Sequence, residues 1–479
     1  MAALPNLEPA FPEILLILAG MAFLLIGVFR GRESTTFTTW ASIGAMAVAA
    51  WLIHAAHGVP VVTFGGLFAV NAFTAFAKVL TLLGASLALI MINSWSQQSG
   101  VARFEIPLLV LFATVGMMLM ISANDLIALY VGLELQSLPL YVLAAVNRDN
   151  LRSTEAGVKY FVLGALASGL LLYGASMVYG FSGTTTFAGI ASATQSGGGH
   201  VGVLIGIVFV IAGLSFKVSA VPFHMWTPDV YEGSSTPITA FFSVAPKIAG
   251  LALFLRVLVG PFGGMLAEWQ QVVIAISLLS MMWGAFAAIV QKNIKRLMAY
   301  SSIGHVGYAL IGLAVGTVEG ARGMLFYMLI YIVMSIGAFA CILAMRVDGK
   351  AVEDVTDLSG LAKTRPGMAA AMAALMFSMA GIPPLAGIWG KFYIFVAAVN
   401  AGLVWLAVVG VLASAVAAYY YLRIVKIMYF DEPGKALDQP AISTAILYGL
   451  CSLAMLGLFL VPAPFVNGAS IAAKSLFPG

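Results

Sequence analysis

Glu134, Lys217, Lys247 and Lys391 stand inside long apolar runs of this chain. A carboxylate or ammonium at the centre of a bilayer costs several kcal/mol or more, so such groups are rare there and mark ion or proton pathways. Only 9% of the 479 residues are charged, and four of them in apolar surroundings read as a charge relay or ion path through a membrane. Glu134, midway along NDLIALYVGLELQSLPLYVLAAV, must be neutral or paired. Either a hydrogen bond from a neighbouring helix holds it, or it partners a lysine, with Lys217 as the first candidate. Lys217 lies five residues before Pro222, where a helix break would free carbonyls and admit water to solvate an ammonium. A movable Glu134–Lys217 contact would then switch that lysine between holding and releasing a proton. Lys247 follows Pro246 and has no acid close in sequence, which suits a proton carrier governed by hydration. Lys391 falls eight residues past Pro383. For each lysine the plain alternative is a structural ion pair or snorkelling to the interface.

Other polar residues carry weaker signals. His224, just past Pro222, and His305, in AYSSIGHVGY, can support a water chain or simply bond a neighbouring backbone. Lys78 is about two turns from a helix end, within snorkelling reach, and Lys159 marks the start of a helix at the interface. His54 and His57 share one helix end, and His200 reads as a loop residue. Cys341 and Cys451 lie in apolar runs with no CxxC, which points to buried small hydrophobes rather than a metal site or disulfide framework.

The elements that must position these groups are membrane spans. The apolar fraction is 62%, against roughly 45–50% in soluble domains, and about 20 apolar residues make one helical crossing. Apolar runs between polar breaks predict about fourteen transmembrane helices in an all-α polytopic membrane protein. They run over 11–29, 40–57, 70–92, 105–121, 124–146, 157–180, 201–226, 235–259, 271–290, 297–316, 322–346, 367–396, 402–428 and 441–461. The start, MAALPNLEPAFPE, has no basic residue and makes a poor signal peptide, so the first run is expected to remain as a span. The uncharged connector 181–200 reads as an outer loop with an interfacial turn. With both termini outside, sixteen of the 23 Lys and Arg residues fall on the inner face. Three (Arg256, Arg322 and Lys474) fall on the outer face, the asymmetry the positive-inside rule requires. Two spans are irregular: the seventh ends in KVSAVPFHMW, and the twelfth contains Gly381-Ile382-Pro383-Pro384. Proline removes a backbone donor and clashes with the preceding turn, so both helices should break. Broken helices at corresponding positions point to inverted repeats. Helices 4–8 (105–259) and 9–13 (260–430) form the expected pair, between a three-helix N-terminal segment (1–104) and a C-terminal helix (431–479).

Several stretches resemble the antiporter-like membrane subunits of proton-pumping NADH:quinone oxidoreductase, respiratory complex I. They are GLELQSLPLYVL, FKVSAVPFHMWTPDVYEGSSTP, APKIAG, KRLMAYSSIGHVGY and GIPPLAGIWGKFYIF. Within that family the pattern is most similar to the subunit N branch. Lys391 stands where subunit M typically has a glutamate, and the long lateral helix of subunit L is missing. The resemblance implies a proton channel from the cytoplasm outward in a bacterial inner membrane. In it Glu134 and Lys217 would be the switching pair, Lys247 the connector and Lys391 the terminal lysine, with His224 lining the inner access. It further implies subunit M and small membrane subunits as partners. FMN, iron–sulfur clusters and quinone would sit in other subunits, and no cofactor in this chain.

No phosphate-binding loop, dinucleotide fingerprint or clustered metal ligands occur, so ATP hydrolysis or electron transfer by this chain alone is not expected. The basic residues are spread over loops rather than gathered on a face, and nucleic-acid binding is not expected. Two other readings stay open at this point: a subunit of a multisubunit cation/proton antiporter, and a membrane scaffold with trapped ion pairs.

Overall fold

A computed structural model describes residues 6–56, 60–195 and 200–477. In hydrocarbon every backbone polar group must be bonded within its own segment, which leaves helices as the economical solution for long apolar runs. The described chain is accordingly helical. Its order is α1 (Phe11–Arg30), α2 (Thr35–Ala55), a β1–β2 hairpin (Val61–Thr63, Phe68–Val70), α3 (Ala72–Ser99), α4 (Glu105–Ser122) and α5 (Leu126–Ala144). Next come α6 (Leu151–Ser182), α7 (Phe187–Gln195), α8 (His200–Val218), α9 (Trp226–Gly233), α10 (Thr236–Val259), α11 (Leu266–Ile289), α12 (Ile294–Val315) and α13 (Val318–Leu343). A short β3–β4 hairpin (Arg346–Val347, Lys350–Ala351) precedes α14 (Leu361–Thr364), α15 (Pro366–Ala380), α16 (Gly387–Asn400), α17 (Val404–Phe430), α18 (Ile442–Leu460) and α19 (Ala463–Lys474).

Side-chain caps fix several helix starts by satisfying orphan backbone donors. Asp125 accepts from Ile127 N at α5, Asn150 from Arg152 N at α6, Asn293 from Lys295 N at α12 and Thr317 from Gly320 N at α13. Glycines then let helices approach closely, the usual packing device where lipid removes any hydrophobic drive between helices. A Cβ added at Gly116 of α4 would lie 2.3 Å from the backbone of Gln136 in α5, and one at Gly284 of α11 would lie 2.6 Å from Gly304 in α12.

Among the described residues twelve helical stretches are long and apolar enough to cross a membrane, the first of which, Glu8–Ala55, contains both α1 and α2. The expected span 367–396 is instead two short helices, α15 and α16, split at 381–386. The seventh expected span also breaks: α8 stops at Val218 and the chain resumes helix at α9, whose end at Gly233 lies beyond the expected limit of 226. The connector 181–200 contains the short helix α7, and His200, expected in a loop, opens α8. Arg256, placed by sequence on the outer face, is buried inside the last turns of α10. His57 lies outside the described residues. Helices α10, α12 and α13 are almost wholly buried and form the centre, while α1, α2 and α18 are peripheral. The central three carry Lys247, His305 and a pair of tyrosines, Tyr327 and Tyr331.

Candidate functional site

Each broken helix carries a lysine beside its break. At the second, α15 ends at Ala380 and Gly381 takes a left-handed conformation (φ 85°), which only glycine adopts without strain. The ended helix leaves carbonyls without intrahelical donors. Lys391, in the second turn of α16, fills that need: its Nζ donates to Met379 O (3.0 Å), Ala380 O (3.0 Å) and Ser414 Oγ of α17 (2.7 Å). At the first break, Lys217 is the next-to-last residue of α8, and Trp226 Nε1 and Ser280 Oγ bond backbone groups freed by the turn. Lys217 Nζ donates to Ser137 Oγ of α5 (2.7 Å) and, at 3.4 Å, to Tyr141 Oη.

Glu134 and Lys217 are near each other but form no ion pair. Glu134 is half-buried on α5, one turn before Ser137, and accepts a hydrogen bond from Ser168 Oγ of α6. The neutral hydroxyl of Ser137 stands where the expected carboxylate contact would be. Among the described residues Lys217, Lys247 and Lys391 have no carboxylate within ion-pair distance, although each is buried. Their partners are hydroxyls, carbonyls and aromatic faces. Tyr231, Tyr141 and Tyr308 each lie within 6 Å of one of these ammonium groups.

Between Lys247 and Lys391 stands His305. Lys247 Nζ donates to Ser302 Oγ, which is bonded to Tyr331 Oη (2.6 Å). One turn further along α12, His305 Nδ1 meets Tyr327 Oη and Nε2 meets Tyr421 Oη (3.0 Å), and Tyr421 is bonded to Ser301. In either tautomer one ring nitrogen donates and the other accepts. A cavity of about 10 Å³ is lined by Lys247, His305, Tyr327 and Tyr331. A second, also about 10 Å³, is lined by Ser301, His305, Tyr308, Lys391 and Tyr421. Each is at the lower limit of the volume one water needs, and His305 is common to both.

Toward the face bearing the basic loops, the buried polar atoms Ser215 Oγ, Ser219 Oγ, His224 Nδ1, Thr227 Oγ1, Tyr231 Oη and Ser234 Oγ have no hydrogen-bond partner among the described residues. Such groups ordinarily bond ordered water. They run along the first break toward an open cleft of about 850 Å³, bordered by Arg152, Glu232, Ser235, Lys292, Lys295 and Glu353. Lys295 in that cleft is paired with Glu353 (2.7 Å) and Ser234 O (2.9 Å). His224 is half-buried in the turn between α8 and α9, its ring edge-on to Trp283. Beside it, Asp229 binds Lys159 (2.8 Å) and Arg296 (2.7 Å). Burial works against the Asp229 carboxylate, but those two hydrogen-bonded cations hold its carboxyl below the usual range.

Lys78 differs from its expected snorkelling: it is 2% exposed and paired with Glu13 at 2.6 Å. Sequence reasoning also missed Ser137, Ser168, Ser414, Tyr327, Tyr331 and Tyr421. Tyr327 and Tyr331 are four apart and so share a helix face, the one signal that could have found them.

A family model described as "NADH:quinone oxidoreductase/Mrp antiporter, TM" matches residues 123–417. The chain is 62% identical over 475 residues to "NADH-quinone oxidoreductase subunit N" of Rhodospirillum rubrum, covering 98% of this chain and 97% of that protein. It is 56% identical over 479 residues to the subunit N of Paramagnetospirillum magneticum, covering 99% and 98%. Among solved structures, a chain of respiratory complex I from Thermus thermophilus with bound aureothin superposes with a TM-score of 0.82 at 32% identity, covering 95% of this chain and 98% of that one. A chain of the Mrp complex from Dietzia sp. reaches a TM-score of 0.85 at 23% identity, covering 98% of each, which is likeness of fold alone.

Proposed function

The chain belongs to the NADH:quinone oxidoreductase/Mrp antiporter membrane family, as an antiporter-like, proton-translocating subunit N of NADH-quinone oxidoreductase, and we propose that its protons travel through Lys217, Lys247, His305 and Lys391. It works among the other membrane subunits of respiratory complex I. The identity of 62% over nearly the whole chain to a subunit N favours this over a subunit of a multisubunit cation/proton antiporter.

The observation that carries the route is that His305 is shared by both small cavities, one touching Lys247 and the other Lys391. A neutral imidazole takes a proton on one nitrogen and releases one from the other, so it can join two donors that do not meet. Protons would enter from the cytoplasm through the cleft and the unpartnered polar groups at the first break, with His224 at the entrance. Lys217 would receive them, Glu134 would bias it by moving between Ser168 and the lysine, and Lys391 would release them outward at the second break. Both termini would then lie outside the bacterial inner membrane. Carrying a charge against 100 mV takes about 2.3 kcal/mol, supplied by quinone reduction in partner subunits that hold FMN, iron–sulfur clusters and quinone. Subunit M would be the neighbour along the arm, and this chain would contribute no redox step.

Segments 105–259 and 260–430 are proposed as inverted repeats, flanked by 1–104 and 431–479. Each contains a glycine-clasped helix pair (α4–α5, α11–α12) and a broken helix bearing a lysine.

The test is Lys247→Met in the intact complex. NADH-driven proton uptake into inverted vesicles is expected to fall while assembly is kept; unchanged pumping per NADH oxidised would overturn the route.

A further inference from the structure

Outside the lysine relay lies another buried charge pair. Glu13, in the first turn of α1, and Lys78, in the second turn of α3, meet at 2.6 Å with both side chains 2% exposed. Lys78 Nζ also stands 4.8 Å from the centre of the Phe68 ring. Behind it, Arg256 of α10 is near enough to act on it electrostatically, and that guanidinium is bonded to Ile121 O and Asn124 Oδ1. The second oxygen of Glu13, Oε2, is buried and has no hydrogen-bond partner among the described residues. A carboxylate oxygen so placed needs a donor, either a water or its own proton.

A cavity of about 450 Å³ reaches the lysine of this pair. It lies between α1, α2 and α3, with Lys78 and Thr74 at one end, Phe11, Leu52 and Ile53 along its walls and Glu8 toward the other end. His54 sits on α2 between wall residues and Glu8 on the turn before α1, so these are the further titratable groups near the pair. The cavity has space for about fifteen waters at the roughly 30 Å³ each takes up in the liquid. It lies at the N-terminal ends of α1 and α3, the face opposite Arg30 and the basic loops.

We infer that Glu13 and Lys78 form a second proton-exchange site, reached by water through the N-terminal cavity from the face opposite the basic loops. The pair holds one proton more or fewer without using the relay. Water in the cavity meets the pair at Lys78: the ammonium passes a proton across the 2.6 Å contact to the carboxylate and is reprotonated from the water, and the reverse transfers release it. The site needs no contribution from Lys217, Lys247 or Lys391.

The experiment keeps the pair intact and asks whether water reaches it. In the assembled complex, with Cys341→Ala and Cys451→Ala as background, Ala75→Cys lines the cavity one turn from Lys78, whereas Ala77→Cys at similar depth faces packed core. A charged methanethiosulfonate reagent applied from the cavity face is expected to label Ala75→Cys at least about tenfold faster than Ala77→Cys, which must await local opening. A second readout is the pH-dependent infrared band of a protonated carboxyl, expected to exchange in heavy water, to vanish in Glu13→Gln and to persist in Lys391→Met. Labelling only by an uncharged, lipid-soluble maleimide would mean that lipid fills the cavity, and no labelling would mean that it is dry. Either result, or an infrared spectrum unchanged by Glu13→Gln, overturns the inference.

Discussion

The ammonium of Lys391 lies 3.0 Å from the carbonyl oxygen of Ala380, the last residue of α15. One side chain thus closes the break in its own helix, and the group proposed to release the proton also holds the break's carbonyls. Losing the proton removes a charge-assisted donor from two carbonyls at once, so the bonds at the break weaken as the proton departs.

Replacing Lys391 separates these roles. Lys391→Arg keeps a cation near the carbonyls but cannot give up its proton; Lys391→Met removes both charge and proton. We expect both variants to assemble and both to lose pumping, to about a tenth of the wild-type rate or less if a proton-transfer group is removed. Proton uptake by inverted vesicles, normalised to NADH oxidation, measures this. Full pumping in Lys391→Arg would show that only the positive charge matters.

His305 makes a narrower prediction. His305→Phe retains ring volume but carries no proton, and its pumping is expected to drop by at least about tenfold. Tyr327→Phe and Tyr421→Phe each remove one hydrogen bond to the ring while leaving the other, and should lower the rate less. Equal losses in all three variants would place the role in tyrosine packing instead.

The four charged residues were legible because hydrocarbon makes an ionisable group conspicuous against apolar neighbours, and the two breaks because proline cannot continue a hydrogen-bonded turn. Their partners were not legible. Serine is common in spans, and nothing within a helix says that Ser302 of α12 meets Lys247 of α10, or that Ser137 rather than Glu134 receives Lys217. Lys78 was misjudged for the same reason. Distance from a helix end suggests snorkelling, but Glu13 of α1 meets Lys78 in the interior, and Ser475 just past α19 bonds the start of α3. Arg256 likewise reads as an outer-face residue until α10 proves to be the central helix.

Gly387 is a structural requirement of the second break. A Cβ there would lie 1.7 Å from Ser378 O, while Gly387 N donates to Ser378 Oγ at 3.1 Å. Gly387→Ala must push α15 and α16 apart, at a cost expected near the upper range for single substitutions, about 4 kcal/mol. The complex should assemble poorly and melt earlier in detergent. A normal melting curve would mean that the break opens freely.

Asp229 predicts a pH dependence on the basic face. Its carboxyl is held low by Lys159 and Arg296. Stability from it is therefore complete above the unfolded value of about 3.9 and disappears as pH falls through the folded value. Asp229→Asn should lower the melting temperature at pH 7 and flatten its decline between about pH 5 and pH 2. Parallel acid curves for wild type and variant would show that the cluster is dispensable.

Glu134 supplies the sharpest test of a moving carboxylate. In this conformation it is bonded to Ser168, and Lys217 is bonded to Ser137. If Glu134 served only to bond Ser168, then Ser168→Ala and Glu134→Gln would affect pumping alike, each by the roughly 0.5–1.5 kcal/mol that a hydrogen bond is worth. If Glu134 alternates between Ser168 and Lys217, Ser168→Ala removes one resting place and biases the carboxylate toward the lysine, while Glu134→Gln abolishes the charge in both. The two variants should then diverge. Glu134→Gln is expected to lose most pumping whether or not Ser168 is present, whereas Ser168→Ala alone changes the rate only modestly. Rates across pH for the two single variants and the double variant decide it, and identical profiles for the two singles would end the switching account.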